Sequence, residues 1–179
     1  MPRFFLIGYM GSGKTTIGKR LAKKLGLAFI DVDLFIENRF RKSIGEIFKE
    51  YGENGFRNIE HKILEEVVGF EDTVISTGGG LPCFFNNMEL MNQHGTTVYL
   101  RVSVDELTNR LETCKNNRPL IKDKGKDELH EFIAESLNKR EIWYNKAKLV
   151  ITAEKIFTPK DMETQIDDLI QQLKKQPIL

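Results

Sequence analysis

This sequence of 179 residues contains few cysteines and has almost no net charge. The two cysteines, Cys83 and Cys114, lie far apart and match no metal-ligand spacing. We therefore expect two reduced thiols rather than a disulfide or a Cys-His nucleophile. A net charge of +1 gives no overall basic surface of the kind that binds nucleic acid or an anionic membrane. Any anion-binding site must come from local clustering of charge.

Long apolar runs are also absent. No stretch is long enough to span a bilayer, and the short apolar segment at residues 2–10 runs directly into Gly-Ser-Gly-Lys without a cleavage pattern for a signal peptide. The sequence contains no internal repeat and no Pro/Ser-rich linker. We expect one cytoplasmic domain that is a monomer and binds neither nucleic acid nor membranes.

Five short apolar segments predict the strands of a parallel sheet. They are rich in β-branched and aromatic residues and nearly continuous in hydrophobicity, which is typical of strands buried on both faces. Helical patterns alternate with them, the first at residues 14–25 before Gly26. This alternation predicts an α/β fold with helices on both faces of the sheet. The predicted strands are residues 4–8, 28–32, 73–77, 96–102 and 149–152.

Two segments interrupt this alternation. Residues 34–60 hold additional helices, and one of them starts with a capping-box pattern at residues 43–46 and ends at Gly52. A further helix is predicted at residues 56–68. Residues 112–126 are polar, basic and weakly periodic, so they are either a solvated loop or a mobile lid over a ligand.

A glycine-rich turn follows the first predicted strand. Gly8, Gly13, Lys14 and Thr15 match the pattern G-x-x-x-x-G-K-[ST] at the start of a predicted helix, which is the setting of a P-loop. The backbone N–H groups of this turn and the N-terminus of the helix attract phosphate. The alternative, a glycine turn that matches by chance, is disfavoured because both the residue pattern and its position fit a P-loop. We expect Lys14 to reach the β- and γ-phosphates of a nucleoside triphosphate and Thr15 to bind Mg²⁺. The predicted phosphate-binding residues are Gly11, Ser12, Gly13, Lys14, Thr15 and Thr16.

The remaining metal ligand is less obvious. The third strand ends in three glycines, Gly78 to Gly80, where many P-loop proteins have an aspartate. The best candidates are Asp31 and Asp33, because parallel sheets place their ligands at the carboxyl ends of strands. Asp33 alone could equally be the N-cap of a helix. The segment at 145–148 lacks the aspartate of a guanine-binding motif, which argues against a GTPase.

Three arginines are candidates for anion binding. Arg57 lies in a predicted helix, Arg118 in the 112–126 loop and Arg140 before the last strand. Each taken singly is an ordinary surface residue. If they converge, their planar guanidinium groups form a site for a carboxylate or a phosphate.

The segments GYMGSGKTT, FIDVD, GENGFRNIE, VISTGGG, RPLI and REIWYNKA have the order and spacing found in one family. Over nearly its whole length the chain resembles a shikimate kinase, a P-loop kinase related to nucleoside monophosphate kinases. The resemblance implies a five-stranded parallel sheet in the order 2-3-1-4-5 within one kinase domain, residues 1–179. It also implies a substrate-binding insertion at about 34–60 and a lid at about 112–126.

The resemblance further implies a reaction and its residues. The γ-phosphoryl group of ATP passes to the 3-hydroxyl of shikimate, giving shikimate 3-phosphate and ADP in the biosynthesis of chorismate and aromatic amino acids. By this resemblance, Asp33 would act as the base, and Lys14 and Arg118 would stabilise the transferred charge. Asp31 helps to hold Mg²⁺ through water. The implied substrate contacts are Asp33, Arg57, Gly78, Gly79, Gly80 and Arg140 for shikimate, and Arg110 and Arg118 for ATP.

The chain departs from the family pattern at two places. Asn58 stands where relatives often have a second arginine, and Glu-Ile-Trp separates Arg140 from Tyr144 where many have x-Pro-Leu. Two other functions stay open. One is a gluconate-type or nucleoside monophosphate kinase, although a phosphate acceptor would not need Asp33 as a base. The other is an inactive ATP-dependent regulatory module, which the intact acidic and arginine residues disfavour.

Overall fold

The computed structural model describes residues 1–114, 121–154 and 158–175. Five parallel strands form one sheet in the order β2-β3-β1-β4-β5, which confirms the predicted fold and strand order. The observed strand ends lie within one residue of the predicted ones. The strands are β1 (Arg3–Ile7), β2 (Ala28–Asp31), β3 (Thr73–Ser76), β4 (Thr96–Arg101) and β5 (Leu149–Thr152).

Helices connect the strands and begin and end at recognisable residues. Gly26 ends the first helix in the left-handed conformation, and Ser43 forms the predicted capping box. The long third helix is bent at Gly52, where the first of the two predicted helices ends. The helices are α1 (Lys14–Leu25), α2 (Val32–Phe40), α3 (Ile44–Val67), α4 (Asn87–His94), α5 (Val104–Glu112), α6 (Lys126–Tyr144) and α7 (Pro159–Lys174), with a short 3₁₀ helix at Leu81–Cys83.

The hydrophobic core lies around the central strands. Phe5, Leu6 and Ile7 of β1 are fully buried, and all four residues of β3 are buried. The helix α1 packs on β2 and β3 and also contacts α7. Burial on both faces explains why these strands are apolar without alternation. In the described ranges, no helix combines the length and the apolar character needed to cross a membrane.

The register of the parallel strands determines where the functional segments meet. Leu6 of β1 and Asp31 of β2 both pair with Ser76 of β3. The three carboxyl ends therefore lie side by side. The glycine-rich loop follows β1, α2 follows β2 and the three glycines follow β3, so all of these segments start at one edge of the sheet.

The packing of α1 on the sheet leaves no room at Gly18. A methyl group there would lie 2.6 Å from Cε2 of Phe29 and 3.0 Å from Cδ1 of Leu6. Alanine usually stabilises a helix relative to glycine by about 0.5–1 kcal/mol. We expect Gly18→Ala instead to lower the free energy of unfolding by about 1–3 kcal/mol, because the overpacked helix must move. Urea denaturation measures the change.

Gly45 in the first turn of α3 provides the control. A methyl group at Gly45 would meet only Oγ of Ser43, at 4.0 Å. We expect Gly45→Ala to raise the free energy of unfolding by up to about 1 kcal/mol, as helix propensity alone predicts. Equal stability gains from the two substitutions would contradict the close contact between α1, Phe29 and Leu6.

Candidate active site

The loop between β1 and α1 holds a buried lysine. Lys14, the first residue of α1, donates from Nζ to the carbonyl oxygens of Gly8 and Tyr9, each at 2.9 Å. Gly8, Gly11 and Gly13 all have positive φ angles, which allow the loop to curl around this ammonium group. The positive charge of Lys14 is therefore held at the N-terminus of α1, where phosphate groups bind in P-loops.

Thr15 and Asp31 form a direct contact across the cleft. Oγ1 of Thr15 donates to Oδ2 of Asp31 at 2.7 Å. The other carboxylate oxygen, Oδ1, accepts hydrogen bonds from the backbone N–H groups of Asp33 at 3.1 Å and Leu34 at 3.4 Å. Asp31 is thus the N-cap of α2, and the alternative in which Asp33 is the N-cap is wrong. The reason is that α2 follows β2 without a loop, so the cap falls on the last strand residue.

Asp33 is therefore available for a different role. Burial and the neighbouring Asp31 carboxylate raise the pKa of Asp33 to about 6, while Lys14 opposes this rise. Its Oδ1 would lie only 2.8 Å from a methyl group placed on Gly78, and Oε1 of Glu60 would lie 3.0 Å from the same methyl group. Two carboxylates from α2 and α3 thus converge on the end of β3.

Glu60 and Arg57 form a buried ion pair within α3. Nη1 of Arg57 donates to Oε2 of Glu60 at 2.5 Å. Burial raises the pKa of Glu60 to about 7, and the charge of Arg57 opposes this rise. Glu60 was not among the predicted site residues. The spacing of three residues from Arg57, which places both on one helix face, is the feature that could have identified it.

The two arginines predicted to bind a carboxylate both face the glycines after β3. The guanidinium nitrogens of Arg57 would lie 2.7 and 2.9 Å from a methyl group on Gly80. Nη1 of Arg140 would lie 3.6 Å from one on Gly79. The structure therefore brings Asp33, Arg57 and Arg140 together. Arg118 and the other central residues of the predicted lid, 115–120, lie outside the described residues.

A cleft of about 320 Å³ joins the glycine-rich loop to this acidic edge. Ser12, a predicted phosphate-binding residue, is buried, and its hydroxyl has no hydrogen-bond partner within the described part of the chain. The residues that line the cleft are Met10, Gly11, Gly13, Lys14, Thr15, Thr16, Asp31, Asp33, Ser76, Thr77 and Gly79.

Arg110 supports the glycine-rich loop from α5. Its Nη1 donates to the carbonyl oxygen of Gly11 at 3.4 Å, and Nη2 donates to that of Ala153 at 2.9 Å. An ion pair with Glu106 at 2.7 Å holds the guanidinium group in place. Arg110 thus connects the loop after β1 with the segment after β5, on the side of the cleft predicted to bind nucleotide.

Tyr144 and Tyr9 contribute contacts to which the sequence pattern assigned no role. The hydroxyl of the fully buried Tyr144 donates to the carbonyl oxygen of Gly79 at 2.6 Å. Burial raises the pKa of Tyr144, so the hydroxyl keeps its proton for this bond. The ring of Tyr9 lies beneath Arg140, with 5.3 Å from the ring centroid to Cζ. Tyr144 thus joins α6, which carries Arg140, to the glycines after β3, and Tyr9 packs against Arg140 itself.

These features define a class of protein. The site has the parts of a P-loop phosphotransferase that acts on a small anionic acceptor. These parts are a buried lysine at the glycine-rich loop, a Thr-Asp pair beside it and a carboxylate that faces two arginines.

Comparison with known proteins identifies the family. The shikimate kinase family model matches residues 10–174. A shikimate kinase from Parabacteroides distasonis is 58% identical over 162 residues, covering 90% of this chain and 94% of the relative. The crystal structure of shikimate kinase from Bacteroides thetaiotaomicron has a TM-score of 0.91 at 46% identity and covers 97% of this chain and 98% of its own. Shikimate kinase from Acinetobacter baumannii in complex with shikimate has a TM-score of 0.85 at 32% identity, and the match covers 98% of this chain and 95% of that one. The chain belongs to the shikimate kinase family, as its sequence motifs predict.

The buried carboxylate of Glu60 makes folding stability depend on pH. Its pKa is raised from 4.5 to about 7, so the folded state binds this proton more tightly than the unfolded state. The resulting stabilisation is fully present below about pH 4.5 and is lost as the pH rises through about 7. Asp33 contributes with the same sign. We expect the free energy of unfolding to fall between pH 4.5 and 7.5, and to fall less in Glu60→Gln.

Urea denaturation at several pH values in this window measures the two slopes. Glu131→Gln is the control, because Glu131 is an exposed residue of α6. It should keep the slope of the parent protein. An unchanged slope in Glu60→Gln would show that Glu60 is not the group that titrates.

Proposed function

We propose that this chain transfers the γ-phosphoryl group of ATP to the 3-hydroxyl of shikimate, giving shikimate 3-phosphate and ADP. The convergence of Asp33, Arg140 and Arg57 on Gly78, Gly79 and Gly80 respectively, beside the glycine-rich loop, carries this proposal. One half of the cleft suits a triphosphate and the other suits a small carboxylate that bears hydroxyl groups. Membership of the shikimate kinase family supports the choice of acceptor.

On the nucleotide side, the loop offers backbone N–H groups and the ammonium of Lys14 to the phosphates. Without nucleotide, the ammonium group of Lys14 donates to two carbonyl groups of the loop. Phosphate oxygens would compete with these carbonyl groups for the N–H groups of the ammonium. Arg110 keeps the Gly11 backbone in place next to the nucleotide. Residues 11–16 and Arg110 thus form the proposed ATP site.

The Thr15-Asp31 pair suits Mg²⁺. Both donors are oxygen atoms, and Mg²⁺ takes few protein ligands while it keeps several waters and binds phosphate oxygens. In the described ranges, no group of three or more His, Cys, Asp and Glu side chains could hold a metal ion, which is consistent with a site completed by phosphate and water. Because Oδ1 of Asp31 caps α2, we propose that Asp31 holds the ion through water and Thr15 holds it directly. The ion would offset negative charge on the phosphates.

On the acceptor side, Arg57 and Arg140 bind the shikimate carboxylate from α3 and α6. Asp33 orients the 3-hydroxyl and takes its proton as the new P–O bond forms. A pKa of about 6 leaves Asp33 largely ionised at neutral pH yet basic enough to accept that proton. The cations Lys14 and Arg118 offset the charge of the γ-phosphoryl group during transfer.

The segment from residue 34 to about 60 is the proposed substrate-binding insertion. It begins just after Asp33 and contributes Arg57 and Glu60, which lie against the glycines at the end of β3. For residues 112–126 we keep the proposal of a lid that carries Arg118 and excludes water from the cleft, on the grounds of its composition.

ADP release with three separate acceptors tests the function. We expect shikimate to stimulate ADP release from ATP strongly, and gluconate and AMP to have no effect. Stimulation by gluconate or AMP alone would replace the proposal with another kinase activity. No stimulation by any of the three would favour a regulatory module that binds ATP without transferring phosphate.

Asp33→Asn tests the proposed base. Asparagine keeps the size of the side chain but loses its charge, so we expect the turnover number to fall by about 10²–10⁴. The affinity for ATP should change little. The melting temperature should not fall, because Asp31 rather than Asp33 caps α2 and asparagine removes the cost of burying a charge at this position. Steady-state kinetics and thermal unfolding measure both properties.

Asp167→Asn on the surface of α7 is the matched control, and it should turn over like the parent protein. Asp167 pairs with Lys24 at 2.6 Å and its side chain is half exposed. Turnover of Asp33→Asn within a few-fold of the parent would rule out a catalytic role for Asp33.

A further inference from the structure

Arg57 lies within a group of aromatic rings. Its Cζ is 4.3 Å from the ring centroid of Phe84, and 5.4 and 5.7 Å from those of Phe56 and Phe48. Phe48 and Phe56 are neighbours of Arg57 in α3. Phe84 instead belongs to residues 80–87, a segment that follows β3. Of these three rings, that of Phe84 is the nearest to the guanidinium group, and it comes from a different part of the chain than Arg57.

We propose that Phe84 is a positioning residue for the reaction, because its ring fixes the plane in which Arg57 presents its guanidinium group to the acceptor carboxylate. This inference rests on the proposed function, in which Arg57 binds that carboxylate. A bidentate contact between arginine and a carboxylate requires the two planar groups to be aligned, so a rotation of the guanidinium plane weakens binding without removing any charge.

Hydrogen bonds alone leave this plane poorly determined. One short bond joins Nη1 to Glu60, and the contact of Nη2 with the mostly exposed Glu53 is 3.5 Å long. Nε is buried and has no hydrogen-bond partner within the part of the chain that the structure describes. The guanidinium group can pivot about its bond to Glu60 unless a flat surface packs against it, and the ring of Phe84, with its centroid 4.3 Å from Cζ, is the nearest ring that can do so.

The environment of Arg57 strengthens the contact with the ring. The Arg57 side chain is only 11% exposed, so water screens the attraction between its charge and the ring face only weakly. The same guanidinium lies against Gly80, where a methyl group would be 2.7–3.0 Å away from its atoms. The 80–87 segment thus contributes both a backbone surface and a ring to the position of Arg57.

Phe84 is itself held firmly. Asn87, at the end of the segment, donates from Nδ2 to the carbonyl oxygen of Leu81 at 2.8 Å and contacts Nδ1 of His61 through Oδ1 at 2.6 Å. The backbone N–H of Asn87 also donates to the carbonyl oxygen of Phe84 at 3.3 Å. His61 lies four residues after Arg57 in α3, so the segment is fixed to the helix that carries the arginine.

Steady-state kinetics of ring variants test the inference. Phe84→Leu keeps an apolar side chain but removes the ring, and we expect the KM for shikimate to rise about 3–30-fold with the KM for ATP unchanged. Phe84→Tyr keeps the ring and should stay within about twofold of the parent. Phe84→Met, a second ring-free variant, should behave like Phe84→Leu. The melting temperature of each variant identifies any that is poorly folded.

Phe85→Leu is the matched control, because Phe85 is exposed and its ring packs on His61 instead of Arg57. It should keep the parental KM for shikimate. An equal rise in Phe85→Leu, or an equal rise in Phe84→Tyr, would overturn the inference, since either would mean that general disturbance of the segment is responsible.

A double-mutant cycle separates this inference from the proposed function. If Phe84 acts through Arg57, Phe84→Leu should add little to the KM for shikimate in an Arg57→Ala background. Fully additive effects, or a raised KM in Arg57→Ala alone with a parental value in Phe84→Leu, would overturn the role of Phe84 and leave the proposed function intact. A parental KM in Arg57→Ala would overturn the proposed role of Arg57 and this inference with it.

Discussion

The shared register of three parallel strands is the constraint on which the rest of the site depends. Ser76 at the end of β3 pairs with Leu6 on one side and with Asp31 on the other. A shift of one residue in β2 would move Asp31 away from Thr15 and would also place the N-cap of α2 at another residue. The strand pairing, the start of α2 and the Thr15-Asp31 contact are therefore parts of one arrangement.

The same edge of the sheet collects buried charges of both signs. The carboxylates of Asp33 and Glu60 lie near the cations of Lys14, Arg57 and Arg140. A buried ion is costly unless it is paired, and Glu60 supplies the pairing for Arg57 when no acceptor is bound. An acceptor carboxylate that shares Arg57 with Glu60 would favour proton uptake by Glu60, because its pKa already lies near 7. Under the proposed function, the site would then take up an additional anion with little net change in buried charge.

Much of the fold could be predicted from the sequence, because the signals for it are local. The glycine-rich loop, the strand segments and the caps at Gly26 and Ser43 each depend on residues a few positions apart. The cap of α2 could not be assigned in this way. Asp31 and Asp33 are chemically equivalent in sequence, and the absence of any loop between β2 and α2 makes Asp31 the cap.

The parts of the site that the sequence did not reveal depend on contacts between distant segments. Glu60 is recognised as a site residue only once α3 buries it next to Asp33. Tyr144 is recognised only once its hydroxyl reaches Gly79, which is 65 residues away in sequence. Phe84 is an ordinary apolar residue in sequence, and its ring meets Arg57 only after β3 and α3 have packed. Hydrophobic periodicity cannot distinguish such residues from the remainder of the core.

The two glycine clusters meet different structural requirements, one for backbone conformation and the other for space. In the loop after β1, Gly8, Gly11 and Gly13 have positive φ angles, so the backbone conformation itself favours glycine.

Gly78, Gly79 and Gly80 do not have positive φ angles, and their requirement is space. A methyl group on Gly78 would meet Asp33 and Glu60, and one on Gly80 would meet Arg57. The family resemblance implies that these glycines contact shikimate, and charged side chains also occupy the space that a β-carbon of Gly78 or Gly80 would need. Glycine at the end of β3 therefore allows acidic and basic groups from three helices to approach one short stretch of backbone, which is the physical basis of the acceptor site proposed at this edge of the sheet.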